Sequence, residues 1–192
     1  MRQLVISLLT MLIVSMGAGA QSADKLYEQG KKLYDEKNYT EAFPKLKTAA
    51  EKGHKKAQYR LGRCYDKGNG VKEDEKTAFT WYMKSAQQGF AKAQYQVGKS
   101  YKNGEGVEKD RKKAVEWFTK AAKQDNAEAE LALGKAYLKG KGIGADKAKA
   151  RTWIKRAVSN EKGGKELLDE LRKEKAEGDE DAKEILALIG KD

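Results

Sequence analysis

The sequence predicts an all-α protein, a solenoid of stacked helix–turn–helix repeats. Three observations support this: residues recur in columns every 36 positions, glycines punctuate each unit, and the 192 residues include one proline. Proline interrupts helix interiors, so its scarcity suits a mostly helical chain. Two-helix units of about this length bury their apolar faces only by stacking on one another. The sequence therefore predicts a short repeat array.

The first 20 residues match the pattern of a secretory signal peptide. A basic start at Arg2 precedes an apolar segment over residues 4–16, and small residues follow at Ala18 and Ala20. This pattern predicts cleavage after Ala20 and export to the periplasm or the outside of the cell. The alternative is a retained membrane anchor, but the segment is shorter than the ~20 residues that a spanning helix needs. We therefore expect no stable membrane span after cleavage.

Three repeats of 36 residues occupy residues 54–160. Each unit predicts a helix with an internal glycine, a glycine loop, an aspartate N-cap and a second helix. A glycine inside a helix costs ~1 kcal/mol relative to alanine, so we explain it by close packing of a neighbouring helix. The main columns are Gly62, Gly98 and Gly134; Tyr65, Tyr101 and Tyr137; Gly68, Gly104 and Gly140; Gly70, Gly106 and Gly142; Asp74, Asp110 and Asp146; Ala78, Ala114 and Ala150; Trp81, Trp117 and Trp153.

The tryptophan column belongs to the predicted inner face of each second helix. Ala78, Trp81 and Tyr82 lie at i, i+3 and i+4, which places them on one side of a helix. We therefore expect Trp81, Trp117 and Trp153 to be mostly buried between helices. Truncation of one of them to alanine would then cost about 3–5 kcal/mol.

These columns resemble the Sel-1-like repeat, a relative of the tetratricopeptide repeat. The match runs A-x-A-x-x-x-L-G-x-x-Y-x-x-G-x-G-V-x-x-D-x-x-x-A-x-x-W, with departures at Lys55 and Val97. The resemblance implies a right-handed α-solenoid whose first helices face a concave groove. It also implies a scaffold that binds a partner.

Two different segments flank the array. In residues 21–53, the interval from Gly30 to Ala42 is 12 residues rather than the 16 of the next unit, a spacing that resembles the tetratricopeptide repeat itself. Pro44 lies deep in the second helix of this unit and predicts a kink or a late helix start. Residues 161–192 leave the 36-residue register and predict two helices separated at 177–179. We expect them to cap the array, the alternative being a frayed tail.

No pattern indicates catalysis, a cofactor or a metal ion. Cys64 shares its column with Ser100 and Ala136, so we interpret it as a small packing residue rather than a reactive thiol. His54 has no evident catalytic partner, and a single histidine excludes multi-histidine metal sites. The glycine loops lack the lysine–serine ending and the preceding strand of a phosphate-binding loop. The sequence therefore disfavours an enzyme.

Basic and aromatic positions on the first helices predict a binding groove. A basic residue follows each helix glycine, and a tyrosine or a leucine lies three residues before it, so both types share one helix face. We expect this groove to bind a protein or an acidic, extended peptide. The alternative is that the tyrosines fill gaps between repeats and the lysines are merely solvated. The candidate groove residues are Tyr27, Lys31, Tyr59, Arg63, Tyr95, Lys99, Leu131 and Lys135.

Charge is distributed unevenly along the chain. Residues 21–160 carry 32 Lys and Arg against 18 Asp and Glu, a net charge of +14, whereas residues 161–192 carry a net charge of −4. A basic array also suits an anionic non-protein polymer, such as an acidic glycan or nucleic acid, although export disfavours nucleic acid. The acidic segment caps the solenoid, occupies the groove or supports head-to-tail association; the sequence leaves these alternatives open.

Overall fold

In the computed structural model, residues 21–191 are described, and they form ten helices and no strand. The predicted signal peptide, residues 1–20, lies outside the described residues. The helices pack as five successive pairs, and the second helix of each of the first four pairs contacts the first helix of the next. They are α1 (Ala23–Asp35), α2 (Tyr39–Glu51), α3 (Lys55–Lys67), α4 (Glu75–Gln87), α5 (Ala91–Asn103), α6 (Arg111–Ala122), α7 (Ala127–Lys139), α8 (Lys147–Val158), α9 (Gly164–Ala176) and α10 (Glu180–Ile189).

The aspartate column supplies the N-caps of α4, α6 and α8, as the sequence predicts. The side chains of Asp74, Asp110 and Asp146 each accept a hydrogen bond from the backbone N–H three residues onward. The N–Oδ1 distances are 3.0, 3.0 and 2.9 Å. Each cap satisfies a donor that has no partner within the first helical turn. The preceding helices end at glycines 68, 104 and 140 in left-handed backbone conformations. The periodic residues thus define where each helix begins and ends.

The Asp110 cap makes part of the protein's stability depend on pH. The backbone N–H of Lys113 holds the pKa of Asp110 below its ordinary value of 3.8. Since the pKa is lower in the folded state, this stabilisation is present above pH 3.8 and is lost as the pH falls through the folded-state pKa. We expect Asp110→Ala to lower the Tm at pH 7, and this deficit to shrink in acid.

Asp110→Asn is the matched control, because asparagine keeps the capping oxygen but does not titrate. Thermal unfolding of the parent, Asp110→Ala and Asp110→Asn, followed by circular dichroism from pH 7 to below pH 3.8, measures the effect. A Tm deficit of Asp110→Ala that stays constant as the pH falls below 3.8 would contradict the prediction.

The glycine inside each first helix gives room for a large side chain of the second helix. A Cβ atom added at Gly62 would lie 2.6 Å from Cδ1 of Tyr82, and one at Gly98 would lie 2.5 Å from Cε1 of Phe118. Gly30 in the first pair repeats the arrangement, with Cγ of Leu46 at 2.9 Å. Ordinary van der Waals contacts between carbon atoms are about 3.5–4.0 Å. The expected close packing at these glycines is therefore confirmed.

The residue after each tryptophan is buried in the core, whereas the tryptophan itself is less buried. Tyr82 and Phe118 are each 2% exposed, whereas Trp81 and Trp117 are intermediate in exposure and lie at the edge of the core. A lysine ammonium lies 4.2 Å from the ring centroid of Trp81 and 4.0 Å from that of Trp117. Trp153 is also intermediate in exposure. The expected cost of truncating a tryptophan is accordingly reduced.

A ladder of buried amides links successive repeats and was not predicted from the sequence. Gln58 donates to the backbone carbonyl of Ala50 in the preceding unit at 3.2 Å, and Gln94 repeats this contact one unit later with Ala86, also at 3.2 Å. Gln58 and Gln94 are each 6% exposed. Because buried amides need hydrogen-bond partners, these contacts favour one stacking register between units.

Pro44 neither delays nor ends its helix. The helix α2 begins at Tyr39 and continues through Pro44 to Glu51, so the predicted late start is wrong. Proline leaves the carbonyl of Thr40 without its helical donor. Both Thr40 and Pro44 are exposed, so water can hydrogen-bond to this carbonyl. The cost that excludes proline from buried helix interiors is thereby reduced.

The last two helices pack on the end of the repeat array. Leu171 of α9 is 1% exposed, and Ile185 and Leu186 of α10 are fully buried in one cluster with Ile154 of α8. Lys139 at the end of α7 joins this contact, with its ammonium 2.8 Å from a carboxylate oxygen of Asp181. The two helices and their break at 177–179 match those that the sequence predicts. No helix within residues 21–191 is long and apolar enough to span a bilayer.

Candidate partner-binding groove

A cavity of about 560 Å³ is lined by residues of α5, α6 and α7 and of the last helix pair. Its floor is apolar and includes Phe118 of α6 together with Leu131 and Ala132 of α7. Leu167 and Leu171 of α9 also line it. Cavities of 300–1,000 Å³ commonly bind small ligands or short segments, so this one is large enough for a partner's side chains.

The predicted groove residues divide into those at this cavity and those elsewhere. Tyr95, Leu131 and Lys135 line it. Leu131 is 9% exposed, so it forms part of the cavity floor and does not project towards a partner. Lys99 lies beside the cavity, one turn before Lys102 on the same helix, and contributes charge there.

The remaining predicted residues lie in the first two helix pairs and pack mainly within the protein. Tyr27 is 6% exposed and stacks on His54, with the ring centroids 4.4 Å apart. Tyr59 accepts a hydrogen bond from Arg63 at 3.3 Å, and Lys31 forms an ion pair with Asp35 at 2.9 Å. These pairs are already satisfied internally, so they are less available to a partner than the residues at the cavity.

Four lysines gather at one end of the cavity. Partial burial lowers the pKa of Lys102, and the positive charges of Lys135, Lys99 and Lys141 lower it further. Among residues 21–191, no carboxylate forms an ion pair with any of these four lysines, in contrast to Lys139 nearby. Like charges held together without partners favour an incoming anion, because its binding relieves their repulsion. We call Lys99, Lys102, Lys135 and Lys141 the lysine cluster.

The other end of the cavity is acidic. Tyr95 lies there, with its ring centroid 5.8 Å from that of Phe118. Burial raises the pKa of the Tyr95 hydroxyl to about 12, with a further contribution from the negative charges of Glu128 and Glu170. Both glutamates are exposed and line the cavity. The cavity thus places opposite charges at its two ends, across an apolar floor.

Other chemistry-bearing residues have structural roles. Cys64 is 1% exposed, and burial raises the pKa of its thiol to about 12, which disfavours the reactive thiolate. His54 caps α3, its Nδ1 accepting the backbone N–H of Ala57 at 3.0 Å. Within the described part of the chain, no three or more His, Cys, Asp or Glu side chains are grouped to hold a metal ion. The arrangement suits binding through shape and charge.

Sequence reasoning missed part of the lysine cluster and all of the acidic end. Lys102 occupies a column with Tyr34, Asp66 and Leu138, so its charge does not recur between units. Glu170 lies beyond the array, where the register is lost. Comparison of columns finds only what repeats. A search for basic residues near the end of each first helix could have found Lys102.

A stack of two-helix repeats defines the chain as a helical-repeat protein. Within that class, it belongs to the Sel1 repeat family. The family profile, described as Sel1 repeat, matches residues 55–90, 91–126 and 127–161. Members of this family are helical-repeat scaffolds that generally mediate protein–protein interactions. The predicted repeat family and all-α solenoid are thereby confirmed.

Solved structures of similar proteins have the same architecture. A Sel1 repeat protein from Oxalobacter formigenes is 32% identical, with a TM-score of 0.67, and the match covers 81% of this chain and 72% of that one. A protective antigen of uropathogenic Escherichia coli with an SLR fold is 33% identical, with a TM-score of 0.70. That match covers 80% of this chain and 33% of the antigen.

A more distant relative extends the likeness in fold. A putative sel1 repeat protein from Klebsiella pneumoniae is 24% identical, with a TM-score of 0.51, over 78% of this chain and 77% of that one. Comparison with curated protein sequences finds no match.

Proposed function

We propose that this protein is an exported scaffold that captures a protein or peptide partner on the concave face of its repeats. It acts by binding rather than by catalysis. The observation that carries the proposal is the lysine cluster, which has no ion-pair partner within residues 21–191 and lies beside a cavity with an apolar floor. Apolar contact area and adjacent charge together are what a specific interface requires. Acidic groups on the partner are the complement of this cluster.

The test exchanges charge at the cluster. Lys99→Glu with Lys135→Glu should weaken binding of an acidic partner protein at least tenfold, because two attractive contacts become repulsive. The matched control is Lys112→Glu with Lys123→Glu, which makes the same charge change at exposed lysines that do not line the cavity. Capture from an envelope extract, quantified by mass spectrometry, compares the two variants with the parent. Equal loss in both variants, or no loss in either, would contradict the groove.

An anionic non-protein polymer is the second candidate, favoured by the net charge of +14 over residues 21–160. Polymer binding is driven by counterion release, so its affinity falls steeply and linearly on a log–log plot against salt. It would also depend on total charge, and both double variants would then weaken it alike. A titration at several salt concentrations with an acidic glycan as probe separates this candidate from a shaped groove.

Export is proposed from the leader pattern of residues 1–20. N-terminal sequencing of the protein isolated from its native cell should begin at Gln21, because cleavage is expected after Ala20. A chain recovered intact from Met1 would contradict the cleavage and would favour the retained membrane anchor instead.

A further inference from the structure

The charges at the two ends of the cavity lie along the same helix. Glu128 is in the first turn of α7, and Lys135 follows seven residues later on the same helix. At 1.5 Å of rise per residue, they are separated by about 10 Å along the helix axis. Glu170 from α9 adds to the acidic end, and Lys102 from α5 adds to the basic end. The polarity therefore involves three different helices and does not depend on one side chain.

Contacts with the last helix pair reduce the positive charge at the basic end. Lys139, which also lines the cavity, is neutralised by Asp181 at 2.8 Å and Glu184 at 2.7 Å. These carboxylates hold the pKa of Lys139 above its ordinary value of 10.5. The positive charge still available at the basic end belongs to Lys102, Lys135 and Lys141. At the acidic end, Glu128 accepts one hydrogen bond from Asn126 at 2.8 Å but has no cationic partner within the described residues.

Size and spacing restrict what fits between these ends. A helix about 10 Å wide would fill about 800 Å³ over the same 10 Å, so part of a bound helix would remain outside the cavity. An extended segment in the polyproline II conformation rises about 3.1 Å per residue with three residues per turn. Its residues i and i+3 therefore share a face and lie about 9 Å apart, close to the separation of the charged ends. A β-strand is less suitable, because its residues i and i+3 point to opposite faces.

We propose that the cavity binds an extended peptide segment with one cationic and one anionic side chain three residues apart. The cationic side chain contacts Glu128 and Glu170, and the anionic side chain contacts Lys102 and Lys135. An apolar residue between them packs on Leu131 and Ala132. This inference rests on the proposed partner-binding function and specifies its ligand: a segment of mixed charge, rather than a purely acidic one.

Three short fluorescent peptides test the charge pattern against the purified protein. They are blocked at both ends, have alanine and leucine as the two central residues, and differ only in the outer pair: lysine with glutamate, two glutamates, or two lysines. We expect the mixed peptide to bind most tightly by fluorescence anisotropy. Exchanging one attractive contact for a repulsive one should weaken binding about fivefold or more, given the small energies of partly exposed pairs.

Charge-reversed variants should change the order of preference. Glu128→Lys with Glu170→Lys should favour the two-glutamate peptide, and Lys102→Glu with Lys135→Glu should favour the two-lysine peptide. Lys112→Glu with Lys123→Glu should leave the order unchanged. Glu128→Gln with Glu170→Gln is a milder variant that should remove the preference between the mixed and the two-glutamate peptides. Circular dichroism spectra and Tm values establish that each variant is folded.

The outcomes separate this inference from the proposed function. If the two-glutamate peptide binds the parent at least as well as the mixed peptide, and the glutamate variants leave that order unchanged, the mixed-charge ligand is wrong while the basic groove stands. If the Lys102→Glu with Lys135→Glu variant binds all three peptides with the same affinities as the parent, both proposals fail. Binding that ignores peptide pattern but falls steeply with salt would also overturn the inference and would favour an anionic polymer.

Discussion

Replacing Gly106 with alanine is expected to destabilise the protein by about 3 kcal/mol, through backbone strain and overpacking together. The loop glycine has φ +67°, a left-handed conformation that costs other residues ~1–2 kcal/mol. An added Cβ would also overlap the carbonyl group of Glu75 in the preceding repeat, and it would lie 3.0 Å from the backbone nitrogen of Lys76. Backbone atoms at a helix start cannot move aside as a side chain can. Urea denaturation measures the loss.

Gly104→Ala is the control for this substitution. Gly104 lies in the same loop with φ +89°, but its added Cβ would meet nothing closer than 3.5 Å. It should therefore show only the conformational cost, about 1 kcal/mol. Equal losses in the two variants would mean that the contact between loop and preceding repeat is not a constraint on stacking.

Phe118→Ala is expected to destabilise the protein by about 4 kcal/mol. The ring is 2% exposed and fills the space beside Gly98, so truncation removes buried apolar area and leaves a cavity. Trp117→Ala, at the adjacent position, should cost about 2 kcal/mol because the indole lies at the edge of the core. Denaturant unfolding of both variants measures this order.

A larger loss from Trp117→Ala than from Phe118→Ala would contradict the assignment of the core. It would also support the interpretation from sequence, which places the tryptophan column between the helices. Because contacts in a solenoid are local, damage in one unit can separate the transitions of its neighbours. Two probes, circular dichroism and tryptophan fluorescence, should therefore be compared for each variant.

Features set by local chemistry were predictable from the sequence. The aspartate caps at 74, 110 and 146 follow from the preference of helix starts for side-chain acceptors. The packing glycines at 62, 98 and 134 follow from the cost of glycine within a helix, which needs a compensating contact. The repeat period fixed the pairing of helices, since each unit is one helix–loop–helix.

Features that depend on contacts between units were not predictable in the same way. Periodicity places Trp117 and Phe118 on similar helix faces, and only the angle between neighbouring helices decides which ring is buried. Gly106 lies close to the backbone of Glu75, which belongs to the preceding unit. The pattern within a single unit shows only that the loop needs a glycine. The late helix start expected at Pro44 was wrong because the exposure of Pro44, which reduces its cost, is a tertiary property.

The residues of the candidate site also divide into those that the repeat pattern predicts and those that depend on contacts between units. Tyr95, Leu131 and Lys135 were found because they recur in columns, and they line the cavity. Tyr27 was chosen by the same rule, yet it is buried against His54, the N-cap residue of the next unit, as Tyr59 packs against Phe90. Glu170 belongs to the non-repeating helix pair, whose position against α7 no periodic pattern encodes.

Site-specific photo-crosslinking in the native cell tests most directly that a partner binds on the concave face. A photoreactive residue at Asn103, which is exposed at the cavity, should capture a discrete protein or peptide. The same residue at Glu116, which is exposed on α6 and does not line the cavity, should capture none. A discrete partner captured from Glu116 but not from Asn103 would contradict the concave binding face.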